Sequence, residues 1–157
     1  MREMIKNKAI ELLENGTVDR VLGWKAGEFF YDLTPGVFKS REEIEKEFVY
    51  SVFSAANLSK YLIAESRKEG KIAVFLKPCD SYSFQQLLKE HRIWRDNVYV
   101  VGVQCEGMCD VAKLGCEGVL SVKEDGENLI VDTLYGEKTV KKADAIADRC
   151  ASCKSKK

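Results

Sequence analysis

The sequence has no excess of either charge: 25 Lys and Arg balance 25 Asp and Glu, for a formal net charge of zero at pH 7. That balance removes any global pull toward nucleic acid or an anionic membrane surface. No apolar run approaches the ~20 residues that a membrane span needs. The N-terminus, Met1-Arg2-Glu3-Met4-Ile5-Lys6, has no apolar segment of the kind a secretory signal carries. Gly102, Gly107, Gly115 and Gly118 fit neither a dinucleotide fingerprint nor a P-loop. The chain has one histidine, His91. It ends the segment that follows Cys79 and is expected to sit at a helix C-terminus, about three turns or roughly 15 Å from that thiol. A Cys79–His91 catalytic pair is therefore not expected. These absences lead to the expectation of a cytoplasmic protein with no membrane span and no nucleic-acid partner.

What the chain does have is cysteine. Of six, five fall in two stretches, Cys105, Cys109 and Cys116, then Cys150 and Cys153, while Cys79 stands in a Lys77-Pro78-Cys79-Asp80 turn. Thiols stay reduced in the cytoplasm, which argues against structural disulfides. Clustering at short spacing suggests metal, redox or nucleophilic chemistry rather than packing. Cys150 and Cys153 form a C-x2-C pair, which serves metal sites and redox dithiols alike. A zinc ribbon would want two such pairs. The C-x3-C-x6-C spacing of Cys105, Cys109 and Cys116 matches neither ferredoxin pattern.

A length of 157 residues with 45% hydrophobic content allows one domain with its own core. No linker or internal repeat divides residues 1–157, so a single domain is expected. Residues 2–15 carry apolar side chains at helical spacing, with Asn15-Gly16 as the stop. Val18–Trp24 and Phe29–Leu33 read as a hairpin ended by Thr34-Pro35-Gly36. Arg41–Phe48 reads as a short helix capped by Ser40 and Glu43. The spacing predicts the clearest helix over 54–69, with Ser54 as its cap and Gly70 as its stop. Ile72–Leu76 and Val98–Val103 are apolar runs expected as buried strands, joined by a helix over 81–90. Strand, helix, strand with short connections is a βαβ unit, so these two strands should be parallel. Val119–Lys123 and Leu129–Thr133 read as a second hairpin, and 141–148 as a short helix leading to Cys150. Lys154 to Lys157 reads as a solvated basic tail. Trp24 and Trp94 are expected in the core. The fold class is α/β: a parallel βαβ core with flanking hairpins and a cysteine-rich loop.

Cys79 and Cys105 each follow the carboxyl end of a predicted parallel strand. Those ends share one edge of an open sheet, where ligands bind. Two thiols far apart in sequence should therefore face one crevice. Cys79 also starts a helix, whose N–H groups and dipole, with Lys77 nearby, would favour a thiolate. Asp80 or Ser81 could cap that helix. Lys77 and Asp80, flanking Cys79, are the candidate cofactor-binding residues. The residues alone leave three readings open: an iron–sulfur cluster, a structural zinc site, and a thiol enzyme using Cys79 or the Cys150/Cys153 pair.

Three contexts add to this. Residues 56–62 (Ala56 to Leu62), the Lys77-Pro78-Cys79-Asp80-Ser81 turn, and the run from Glu90 through Val98-Tyr99-Val100-Val101 to Cys105-Glu106-Gly107 resemble the coenzyme F-420 hydrogenase/dehydrogenase beta-subunit family. More closely they resemble related iron–sulfur electron-transfer subunits found with hydrogenase, formate dehydrogenase and heterodisulfide reductase-type complexes. Cys150-Ala151-Ser152-Cys153 matches the last cysteine pair of that pattern. The resemblance implies a [4Fe–4S] cluster on Cys79, Cys105, Cys150 and Cys153. It also implies electron transfer among ferredoxin, flavin and a partner oxidoreductase subunit. Larger relatives bind FAD. Here the sequence stops at Lys157, soon after the cysteine pair, so a complete FAD site is not the expectation. Tyr82 stands where many relatives have arginine, and Cys109 and Cys116 look additional.

Overall fold

The structure is a computed structural model and describes residues 2–155. Of the expected basic tail, Lys156 and Lys157 lie outside the described residues. Ile5, Ala9 and Leu12 recur at helical spacing and bury one face of α1 (Arg2–Glu14). β1 (Arg20–Ala26) follows, buried from Arg20 to Trp24, and pairs antiparallel with β2 (Leu33–Phe38). The second strand of this hairpin thus lies later than the 29–33 expected from sequence and contains the very Thr34-Pro35-Gly36 read there as its end. β2 is an edge strand, where a proline's missing N–H removes no interior ladder bond. The loop between them is closed by Gly27 N–H donating to the Asp32 carbonyl at 2.7 Å.

α2 (Arg41–Glu47) begins as expected: the Ser40 hydroxyl accepts from Glu43 N–H. Residues 54–58 then depart from the predicted helix. Only a 3-10 turn at Ser59–Tyr61 and a single turn, α3 (Leu62–Glu65), form within 54–69. The carbonyls of Ser54 and Ala56 turn inward to accept from Lys77 and Trp24, which they could not do inside a helical ladder. Tertiary demand overrides local periodicity here.

β3 (Ile72–Leu76) is buried at every residue. It lies between β1 and a further strand, parallel to both. α4 (Pro78–Lys89) returns the chain, and His91 closes its end with φ +54°, donating its N–H to the Leu88 carbonyl. β4 (Val98–Gly102) then pairs with β3 from Ile72/Val98 to Leu76/Gly102. The βαβ unit is as the sequence predicts, within a four-stranded sheet of order β2-β1-β3-β4. β4 is the outer strand and only half-buried, so it is not the fully buried strand expected from its apolar run.

A second sheet is the antiparallel meander β5 (Val119–Asp125), β6 (Asn128–Thr133) and β7 (Gly136–Lys141). The β5–β6 hairpin was legible; β7, polar and exposed, was not. Leu129 and Val131 of β6 join the same buried core as the first sheet. The last stretch is two single turns, α5 (Lys142–Ala145) and α6 (Asp148–Ala151), rather than one helix. Among the described residues no helix is long and apolar enough to cross a membrane.

Candidate metal centre

Cys79 occupies the second position of α4, directly after β3. Pro78 starts that helix, where its missing N–H is harmless. The helix is capped at Lys77, not at Asp80 or Ser81: the Asp80 carboxylate reaches back to the Lys77 N–H at 3.3 Å. Cys105 follows β4 at the same edge of the sheet, as parallel pairing requires. Gly107, with φ +117°, turns the chain between Cys105 and Cys109. A backbone strip then brings in the remaining pair. Asp110 N–H donates to the Ala145 carbonyl and Ala147 N–H to the Met108 carbonyl, both at 2.9 Å, bracketing a single bridge between Cys109 and Ile146. Lys113 Nζ donates to the Ile146 carbonyl at 3.0 Å and pairs with Asp148. So latched, α6 presents Cys150, and Cys153 follows one turn on.

The result is one cavity of about 210 Å³ that Cys79, Cys105, Cys150 and Cys153 all line. Ala55, Pro78 and Met108 make its apolar wall, Lys77 and Arg149 bring positive charge, and among the described residues no carboxylate lines it. Cys79 is exposed, and the other three are half-buried. Cys109 and Cys116 stand apart from this cavity. Cys109 is buried within the backbone strip, and the Cys116 thiol lies 3.2 Å from the Leu114 carbonyl.

Four cysteines on one cavity are a donor set for a soft metal centre. Among the described residues no three ligating side chains converge closely enough to hold a single ion. Four cysteines instead line a cavity many times the ~10–15 Å³ that one water centre requires. One zinc with Zn–S near ~2.3 Å would need its sulfurs gathered around a point. The thiol-rich, carboxylate-free lining favours soft iron–sulfur chemistry over hard cations. A cluster held by four thiolates would be anionic, and Lys77 and Arg149, which line the cavity, would offset that charge.

In the ligand-free protein burial works against the thiolate form at two of these cysteines. Burial raises the Cys79 thiol above its ordinary range, the Asp80 carboxylate adds to this, and Lys77 only partly opposes it. Burial likewise raises Cys105, against the Gly107 backbone N–H. The expected thiolate at the helix start is therefore not formed: desolvation and Asp80 outweigh the dipole and Lys77. Such thiols bind a metal by releasing protons to it. Trp24 is wholly buried, but Trp94 is 56% exposed, so only the first is a core residue.

Lys77 is more deeply placed than the sequence suggested. It is 2% exposed, and its ammonium meets the Asp80 carboxylate at 2.9 Å, the carbonyls of Ser54 and Ala56 at 3.0 and 3.1 Å, and the Trp24 ring at 4.7 Å. Asp80 is equally buried, and its carbonyl accepts from the Ser59 and Ser83 hydroxyls. Sequence reasoning passed over Ala55, Met108 and Arg149. Arg149 could have been suspected from its place beside Cys150; Ala55 and Met108 carry no chemical signal.

No protein-family model matches the chain. Curated relatives do, among them two beta subunits. The beta subunit of F420-dependent formate dehydrogenase 1 from Methanococcus maripaludis is 38% identical over 96 residues, covering 61% of this chain and 24% of that protein. The beta subunit of F420-dependent formate dehydrogenase from Methanocaldococcus jannaschii is 38% identical over 96 residues, covering 61% of this chain and 25% of that one. The match thus spans about a quarter of the length of these relatives. In three dimensions the chain is similar to one from the F420-reducing [NiFe] hydrogenase complex of Methanosarcina barkeri, with a TM-score of 0.69 and 20% identity, over 96% of this chain and 58% of that one. That likeness establishes a shared mixed α/β fold. The two sequence matches agree with the resemblance carried by the cysteine contexts: over 96 residues the chain is similar to beta subunits of F420-dependent formate dehydrogenases.

Proposed function

We propose that the protein is an electron-transfer subunit of a cytoplasmic oxidoreductase complex, holding one [4Fe–4S] cluster on Cys79, Cys105, Cys150 and Cys153. The observation that carries this reading is the convergence of four thiols, from three separate segments, on one carboxylate-free cavity. When bound, such a cluster supplies one-electron chemistry at a potential set by its surroundings. The chain's own residues do the rest. β3 and β4 fix Cys79 and Cys105 at the sheet edge, and the latch at 145–147 fixes the other pair. Ala55, Pro78 and Met108 limit water. Exposure at Cys79 leaves one side open to a donor or acceptor. The partners proposed are other oxidoreductase subunits, ferredoxin-like carriers or flavin-type carriers. The relatives named as formate dehydrogenase beta subunits support that choice.

The test is the iron, zinc and acid-labile sulfide content of protein purified without oxygen. About four iron and four sulfide per chain are expected, with visible absorbance that bleaches on reduction. Serine at any of the four cavity cysteines should cost most of the iron, whereas Cys116→Ser should retain it. Equal loss at all six positions, or at none, refutes the ligand set. One zinc without sulfide would instead establish a structural zinc module.

A further inference from the structure

The Lys77–Asp80 pair sits where a structural role alone does not use its charge. A buried ion pair is a weak source of stability, because desolvation offsets its attraction. Its contacts to the Ser54 and Ala56 carbonyls could be made by neutral donors. What neutral groups could not supply is a fixed field. Lys77 is 2% exposed and held from four sides, by Asp80, two carbonyls and the Trp24 ring. Charges removed from water act more strongly and over a longer range. The two charges also differ in placement: Lys77 lines the cysteine cavity, whereas Asp80 does not. Asp80 instead lies behind Cys79, its Oδ1 accepting from that thiol at 3.7 Å.

We propose that Lys77 and Asp80 form a fixed charge couple that sets the reduction potential of the cluster on Cys79, Cys105, Cys150 and Cys153. Lys77 favours the reduced state, and Asp80 opposes it. This rests on the cluster reading above. Reduction adds one electron, taken from a low-potential one-electron donor. It makes and breaks no bond of the protein and needs no proton. Added negative charge is stabilised by the ammonium and destabilised by the carboxylate, so removing one charge at a time shifts the potential in opposite directions.

The experiment is a mediated dithionite titration, with reduced viologens as mediators, on anaerobically loaded wild type, Lys77→Met, Lys77→Arg and Asp80→Asn. Iron and sulfide are measured on each. Lys77→Met should lower the midpoint, with the reduced-to-oxidised ratio at the wild-type midpoint falling about tenfold, equivalent to about 59 mV for one electron. Asp80→Asn should raise it, and Lys77→Arg should stay near wild type. A residue that merely positions the loop would move both variants the same way or neither. Loaded variants with unmoved or parallel potentials overturn the proposal. Where Lys77→Met loses its cluster, Asp80→Asn decides by sign: a raised midpoint supports the couple, and an unchanged or lowered one overturns it. A wild type without iron and sulfide overturns the cluster reading and this inference with it, whereas iron with unmoved potentials overturns this inference alone.

Discussion

Cys109 separates the effects of burial from those of ligation. Cys109 belongs to the strip that joins 108–110 to 145–147, is buried, and does not line the four-thiol cavity. Burial, with Glu124 nearby, pushes it up to about 11. A thiol whose folded value lies above its unfolded value of ~8.5 stabilises the fold fully below that pH and loses the contribution as pH rises through the folded value. Metal-free protein should therefore lose stability between about pH 9 and 11, and Cys109→Ala should flatten that decline in urea titrations. An unchanged slope would place the loss elsewhere. Nothing in the spacing of Cys105, Cys109 and Cys116 told these roles apart, because spacing does not reveal which way a loop side chain points. Cys79 and Cys105 were legible, since parallel pairing forces both strand ends to one edge. The charge state of Cys79 was not, because local dipole arguments omit the carboxylate that folding sets beside it.

Among elements, the first sheet depends on a close approach at β1. A side-chain carbon at Gly23 would fall 2.2 Å from the Phe48 ring, which itself packs on Phe38 and Phe75. Gly23→Val should cost about 1–3 kcal/mol through overpacking, read as a lowered urea midpoint with an unchanged denaturant slope. Wild-type stability would show that the ring has room to move. The same element explains why 54–69 misleads a pattern reader. Leu58 and Leu62 do bury, as a helical face would. The inner sheet places an indole N–H and an ammonium beneath that segment, and those donors claim carbonyls that a helix would keep for itself. β3 and α4, with fewer such demands, follow their patterns closely.

For the whole molecule, the proposed ligand set spans segments that lie far apart along the chain. Cys79 and Cys105 belong to the first sheet. Cys150 and Cys153 arrive only after the meander, through a strip of two backbone hydrogen bonds. Loading should slow amide exchange at Asp110 and Ala147 well beyond its effect on β3, and iron chelation should restore the faster exchange. Equal protection throughout would mean that the strip is already as firm as the core. The sequence marked the cysteine pair but not its route, because β7 and the strip are polar and non-local.

The narrowness of that strip has a consequence in time rather than in equilibrium. Two backbone hydrogen bonds of ~1 kcal/mol each, with the Lys113 contacts beside them, are a modest barrier, so the door through which iron would enter need not be the wall that keeps it. On the proposed ligand set, opening the door with all four sulfurs engaged would require breaking metal–sulfur bonds as well. Uptake and escape would then be different processes, and the finished centre would outlast by far the flexibility that admitted it.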